Sequence, residues 1–295
     1  MTAVVGEALV DVVHRPDGSG GVHAGGSPAN VAVGLARLGN DVTLIARFGR
    51  DEYGELLARH FADNRVRVAE GTVTREPTSV AEAFLDESGA ARYEFRLRWD
   101  LGAGPPELPG GTRHVHTGSI AAVTEPGAAV VARLVGSARV STTVSYDPNC
   151  RPSLMGAPDE ARPRIEALVA GSDVVKVSDE DLGWLYPGTD PADLARRWLA
   201  LGPALVVVTR GADGSVGWTA TGHEVTSPAP ATAVVDTVGA GDAFMAGLLD
   251  ILGKHELLGA DRRHRLRGVD PDTLRAVLEH AGLVAAMTVA RPGAD

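Results

Sequence analysis

The chain has 295 residues, 44% hydrophobic and 22% charged, with a formal net charge of −10. That is enough apolar material for a large core, and the acidic balance works against binding nucleic acid, whose backbone carries the same sign. The single cysteine, Cys150, excludes an internal disulfide framework and a cysteine zinc cage; no apolar run approaches the ~20 residues of a membrane span, and the N-terminal apolar stretch lacks a basic flank, so a cytoplasmic setting is expected.

Glycines number 36, and the 28 basic residues include only two lysines, Lys176 and Lys254. Isolated glycines and arginines therefore carry little weight, and spaced combinations carry the reading. After a first strand, Glu7–Gly26 reads as a hairpin around Pro16-Asp17-Gly18-Ser19-Gly20-Gly21. Gly25 to Gly39 reads as a helix with both ends marked. Ser27 suits the N-cap and Pro28 the first helical position; Val31, Leu35 and Leu38 form an apolar stripe; Gly39 suits the position after the C-cap. The Gly25-Gly26 pair lets backbone approach something closely. Asn30, in the first turn opposite the stripe, offers an amide to a sugar hydroxyl or a backbone carbonyl, although an ordinary capped helix explains the same residues.

Thr43–Phe48 reads as a strand and Glu52–Asp63 as a helix. Ser79–Trp99 reads as a second hairpin around Glu87-Ser88-Gly89, with Tyr93, Phe95, Leu97 and Trp99 on one face and Arg92, Arg96 and Arg98 on the other. That arginine row is either a solvated edge face or a cationic surface for phosphate or an acidic sugar. Strands then follow at His114–Gly118, Thr142–Tyr146, Asp173–Val177 and Leu205–Thr209, separated by helices at Pro126–Val135, Asp159–Ala170 and Pro191–Leu201. His114 and His116 point to one side of their strand and read as satisfied buried histidines rather than a metal pair. The alternation predicts a parallel sheet covered by helices. The unbroken apolar run Leu205–Val208 fits a strand buried on both faces. The two hairpins are either a small sheet projecting over a cleft or edge strands of the main sheet. Arg262-Arg263-His264-Arg265 reads as a solvated loop.

Asp236-Thr237-Val238-Gly239-Ala240-Gly241-Asp242 ends in an apolar helix. Gly239, Ala240 and Gly241 leave amides free at a helix N-terminus, an anion and phosphate site. Asp242 is either a helix-dipole choice or a general base for a hydroxyl that receives phosphate. The dinucleotide fingerprint fits poorly, because Phe244 stands where its last small residue belongs, and neither lysine follows a phosphate-loop glycine motif.

Gly25–Gly39 and Asp236–Leu249 together resemble the paired signatures of the ribokinase-like (PfkB) sugar kinase family. Three landmarks between and before them match too. Gly6-Glu7-Ala8-Leu9-Val10-Asp11 is similar to the opening of the family's bacterial fructokinases, Asp147-Pro148-Asn149-Cys150-Arg151 to their Asp-Pro-Asn-x-Arg, and Gly211-Ala212-Asp213-Gly214 to the nucleotide-side turn. The resemblance implies a single domain over residues 1–295 with a three-layer α/β fold, a central mostly parallel sheet flanked by helices, and a small β-sheet lid formed by about residues 8–26 and 78–100. It implies transfer of the γ-phosphoryl group of ATP to a small sugar, fructose first, with Mg²⁺ and in many members a monovalent cation such as K⁺. A 2-keto-3-deoxygluconate kinase, a nucleoside kinase and a non-catalytic sugar- or nucleotide-binding regulator stand behind it.

By the same resemblance, Asp242 is the base and Gly239, Ala240 and Gly241 form the anion hole; Asp11, Gly25, Gly26, Asn30 and Arg151 bind the sugar. Thr209, Gly211 and Gly214 meet the nucleotide along with Gly239 and Gly241; Asp236 and Thr288 surround a monovalent cation. The family's Asn-x-x-Glu near the metal is Ser178-Asp179-Glu180-Asp181 here, which leaves Asp181 as the magnesium-side acid. The chain closes soon after Arg291-Pro292-Gly293-Ala294, earlier than many members, so an adenine-side or cation-side contact is expected to be short. No membrane or nucleic-acid partner is expected, and pairing of two copies through the lid is.

Overall fold

The structure is a computed structural model that describes every residue except 87–90, 103–105, 292, 294 and 295. In chain order, β1 (Thr2–Val5), β2 (Leu9–His14) and β3 (Gly20–Gly25) precede α1 (Ser27–Arg37), β4 (Val42–Ile45), α2 (Glu52–Asp63) and β5 (Arg67–Val68). Then come β6 (Ser79–Leu85), β7 (Ala91–Arg96), β8 (His114–Gly118), α3 (Gly127–Ala138), β9 (Thr143–Asp147), α4 (Pro152–Met155) and α5 (Pro158–Ala170). The last part holds β10 (Val174–Ser178), α6 (Asp179–Leu185), α7 (Pro191–Leu201), β11 (Leu205–Thr209), β12 (Ser215–Thr219), β13 (Glu224–Ser227), α8 (Ala240–Lys254), α9 (Arg263–Arg267) and α10 (Pro271–Val289).

Nine strands form the main sheet in the order β13-β12-β11-β10-β9-β8-β1-β4-β5, and β12 alone runs against the others, paired antiparallel to both β11 and β13. Alternate residues of each buried strand feed two cores. Val174, Leu205 and Val207 pack with α1, α8 and α10, while Val175, Val206 and Val208 pack with α3, α5 and α7. The continuous apolar run of β11 is thus explained by burial on both faces. Strand order reverses beside β1, between β8 and β4, and open α/β sheets place ligands at such a point, beyond the carboxyl ends of the strands.

The remaining strands make a separate four-stranded sheet, β3-β2-β6-β7, so the hairpins are not edges of the main sheet. A parallel pairing between β2 and β6 joins them, a contact no hairpin pattern announces. The turn expected at Glu87-Ser88-Gly89 lies outside the described residues. Register decides which way the small sheet's side chains point. Val80 faces Arg96 across the β6–β7 pair and Phe84 faces Arg92, while Asp11 faces Ala81 and His23. Successive residues alternate faces, so Arg92 and Arg96 lie on the opposite face from Asp11. There they pair with their own sheet: Arg92 with Glu94 and with the Phe84 ring at 4.7 Å, Arg96 with Glu82 at 3.2 Å. The cationic surface aimed at substrate is therefore replaced by a self-paired outer face.

A second correction concerns Arg262–Arg265. Arg263 begins the short helix α9 and is tied to the buried Asp173 at 2.6 Å and to the carbonyls of Arg139 and Thr142. It caps the far end of the main sheet instead of lying in a solvated loop. His114 and His116 are buried as expected, bonded to Thr143 and Ser145 hydroxyls, though His116 Nε2 has no partner among the described residues.

Candidate active site

The site is built at the start of α8. Gly239 is its N-cap with φ 77°, a left-handed conformation that glycine adopts without strain. The Ala240 N–H closes the preceding turn onto the Thr237 carbonyl at 3.2 Å. Among the described residues, the N–H groups of Gly239, Gly241 and Asp242 have no acceptor. The cradle is thus these three amides; Ala240, expected among them, is occupied. Free amides converging at a helix N-terminus attract an anion, phosphate above all.

Asp242 is buried beside them, on the first turn of α8. Ser27 Oγ donates to one carboxylate oxygen at 2.6 Å and Asn30 Nδ2 to the other at 2.8 Å. Burial pushes the carboxyl pKa up, and these two hydrogen bonds pull it back. Both donors come from the first turn of α1, packed against α8. Ser27 was expected to cap its own helix. Instead Gly26 is the N-cap, at φ 102°, and the serine hydroxyl spans 215 residues of sequence to reach Asp242. Asn30 likewise meets the Asp242 carboxylate, through its amide nitrogen.

On the other side of Asp242 lies Asp11, reached across the glycine pair. A Cβ on Gly25 would stand 2.1 Å from an Asp11 carboxylate oxygen, and one on Gly26 would stand 2.6 Å from the Glu7 carbonyl. The two glycines therefore let strand β3 turn into α1 directly against β2. Burial raises the Asp11 pKa to about 6, with the nearby Arg151 guanidinium among the groups opposing the rise. Arg151 is held by the Asn149 side chain at 2.9 Å and the Cys150 carbonyl at 3.0 Å. Asp11, Asn30, Arg151 and Asp242 are thus brought together.

Glu7 joins this cluster and was singled out only as part of a landmark. Burial raises its pKa to about 7, and it accepts the Ala121 N–H at 3.2 Å. The Ala121 carbonyl in turn accepts Trp99 Nε1 at 2.8 Å, so the chain's first entry into the small sheet, before β2, and its last exit, after β7, are both tied to one residue of the main body.

A cleft of about 810 Å³ opens from the amide cradle along the carboxyl ends of β9, β10 and β11. Thr209, Gly211 and Gly214 line it as expected, the glycines flanking a 3₁₀ turn over Gly211–Asp213. Asp179, Glu180 and Asp181 line its β10 side. Ser178 caps α6 by accepting the Asp181 N–H at 3.0 Å, and Asp181 accepts the Cys150 N–H at 3.0 Å. Burial, with the nearby Asp147 carboxylate, lifts the Asp181 pKa to about 6. Cys150 itself is a buried thiol whose pKa burial pushes up, which leaves it inert.

Asp236 sits on the exposed edge of the cradle turn. One oxygen accepts the Val238 N–H and the other the Gly293 N–H, each at 2.9 Å, and those bonds hold its pKa below the usual range. Its own N–H donates to the Val289 carbonyl at the end of α10, the residue after Thr288. The two expected cation-side residues therefore lie on adjoining segments.

One further residue lines the cleft from the sheet side. Lys176, on β10, is buried and donates to Asp147 at 2.9 Å. A Cβ on Gly241 would stand 2.9 Å from its ammonium nitrogen. Burial disfavours its charge, but Asp147, Asp181 and Asp242 outweigh that and hold its pKa above the usual value. A lysine flanked by Val175 and Val177 inside a buried strand was the available signal.

Three amides aimed beside a hydrogen-bonded, buried carboxylate are machinery for moving a phosphoryl group to a hydroxyl, and the architecture that holds them is that of a sugar kinase. Residues 1–295 match the pfkB family carbohydrate kinase description, and the chain belongs to that family. It is 34% identical over 286 residues to a fructokinase from Rhizobium leguminosarum bv. trifolii, covering 92% of this chain and 87% of that one. A fructokinase double mutant from Vibrio cholerae O395, solved with fructose, ADP and a potassium ion, superposes with a TM-score of 0.82 at 25% identity, covering 99% and 93% of the two chains. An aminoimidazole riboside kinase from Salmonella enterica, complexed with its riboside and an ATP analogue, gives 0.80 at 29% identity over 99% and 94%.

Proposed function

We propose that this carbohydrate kinase uses ATP to phosphorylate fructose. The observation that carries the mechanism is Asp242: a buried carboxylate gripped by Ser27 and Asn30 next to free amides of the same helix turn. In this reading the sugar lies between Asp11, Asn30 and Arg151, and the triphosphate lies along the cleft with its end on the amides of Gly239, Gly241 and Asp242. Asp242 takes the proton of the attacking hydroxyl as the new oxygen–phosphorus bond forms and the bond to ADP breaks. The small sheet acts as a lid over one α/β body, and its closure excludes water, which would otherwise accept the phosphoryl group.

Asp181 offers a hard oxygen donor of the kind magnesium prefers, on the β10 side of the cleft near the Asp147 carboxylate. Magnesium, when bound, supplies charge neutralisation at the phosphates. Asp236 and the Thr288 segment are the proposed monovalent-cation side. A cation there braces the Asp236–Gly239 turn, whose other end is the amide cradle. Fructose is preferred over an acidic sugar because Arg92 and Arg96 face away from Asp11. ADP release on fructose, ribose, 2-keto-3-deoxygluconate and adenosine tests the reading. Fructose should give the highest kcat/KM, and Asp242→Asn should abolish turnover while retaining ATP binding. Preference for adenosine would move the substrate to the nucleosides, and ligand-induced thermal stabilisation without ADP release from any acceptor would leave a binding protein.

A further inference from the structure

We propose that Lys176 is a catalytic residue whose buried ammonium hydrogen-bonds the phosphoryl group in transit, from beneath the amide cradle. The inference rests on the kinase reading and adds a group to it. An ammonium has three donors. Among the described residues one of them is used, by Asp147 at 2.9 Å. The nitrogen lies on the floor of the nucleotide cleft and against Gly241, one of the three amides that face an anion. Two donors are thus left at the place where those amides converge.

The surroundings are unlike those of a lysine that merely balances a charge. Asp147 holds it by one bond, and its charge is felt at Asp181 and Asp242 as well. The rest of the sheet row behind it is neutral: Ser145, and His116, which burial keeps uncharged. Lys176 therefore brings a fixed positive charge to a low-dielectric floor, where it acts strongly on developing negative charge. The bond to Asp147 fixes the direction of the ammonium, and Gly241, lacking a side chain, lets it come up against the helix. No proton leaves the lysine; it stabilises charge while Asp242 takes the hydroxyl proton.

The test separates this role from simple ion pairing. Removing one member of a buried pair strands the other, whereas replacing both with neutral groups of similar size is often tolerated. Lys176→Met should lower kcat at least 100-fold with the sugar KM within twofold of wild type. The double variant Lys176→Met/Asp147→Asn, which also neutralises the carboxylate bonded to the ammonium, should melt within a few degrees of wild type and remain as inactive. Calorimetry without sugar supplies a readout independent of the acceptor: Lys176→Met should weaken ATP at least tenfold and ADP less than threefold. Recovery of kcat to within tenfold of wild type in the double variant, or equal effects on ATP and ADP, overturns the proposal. If the wild type phosphorylates none of the sugars but Lys176→Met still weakens ATP at least tenfold and ADP less than threefold relative to it, the fructose reading alone is overturned.

Discussion

Ser27→Ala is the most informative single change at the base. The serine hydroxyl donates to Asp242 at 2.6 Å in a buried setting, and Asn30 holds the other oxygen at 2.8 Å. A hydrogen bond to a charged group contributes about 1.5–3 kcal/mol. At 1.36 kcal/mol per pH unit, its loss raises the pKa of the carboxylate by about one to two units. Asp242 already lies above the usual range because of burial, with Asp147 pushing it further and Lys176 opposing. The sign is therefore fixed: the proton is held to higher pH, and the acid limb of the kcat profile moves up by about one to two units. Below that limb kcat falls about 10- to 100-fold. Ser27 touches Asp242 rather than the sugar-side group Asp11, so the sugar KM should change less than threefold. Asn30→Ala should show the same limb shift plus a rise in sugar KM, because its amide also borders the sugar cluster. Steady-state kinetics from pH 5 to 9 resolve both effects. An acid limb and kcat unchanged in Ser27→Ala would refute the idea that α1 tunes the base.

Gly241→Ala should reproduce the kcat loss of Lys176→Met, because the new Cβ meets the ammonium nitrogen at 2.9 Å; the two changes combined should cost no more than either alone, and additive losses would contradict that. His114 and His116 are kept neutral in the fold, with burial lowering their pKa to about 4 and about 3 from 6.5. Stability from that source is lost as pH falls below 6.5, roughly 2 kcal/mol for each by pH 5. Glu7, Asp11 and Asp181, with raised values, run the other way, so the measurement is a difference: His114→Gln/His116→Gln should gain about 4 kcal/mol on wild type in urea melts between pH 7 and pH 5, and a constant gap would refute it. Arg92→Gln and Arg96→Gln should leave the sugar KM within twofold, since their face is opposite to that of Asp11; a tenfold rise would place them at the substrate.

Local periodicity made much of the architecture legible. Helices Glu52–Asp63 and Pro191–Leu201 and strands His114–Gly118 and Leu205–Thr209 fall where their apolar spacing puts them, because each element's burial is written in its own residues. What escaped depends on partners far away in sequence. Ser27 followed the grammar of an N-cap, yet a carboxylate 215 residues on competes for its hydroxyl and wins, since a charge-assisted bond outweighs a cap that Gly26 supplies by conformation alone. The β2–β6 pairing is parallel and non-local, so two legible hairpins left open whether they form one small sheet or edge the main one, and did not show which strands join. Arg263 looked like part of a solvated basic run because its partner, Asp173, precedes it by 90 residues. Lys176 was judged against the glycine loop motif in which phosphate-binding lysines are usually sought, whereas here lysine and glycine turn come from β10 and α8 and meet only in the fold.

The net charge of −10 acquires a local meaning at this site. Asp147, Asp181 and Asp242 crowd the cleft floor around one ammonium, and Glu7 and Asp11 stand behind them with pKa values raised by burial. Such a floor repels a polyphosphate unless positive charge is aimed at it. Bulk basicity could not serve, because an exposed arginine row would be screened within about 10 Å and would not direct charge at one oxygen. Three backbone amides and one buried lysine aim positive charge at one place in that floor. The scarcity of lysine is then informative: of the two in the chain, one, Lys254, pairs with Asp250 in the last turn of α8, and the other lies under the first turn of that same helix.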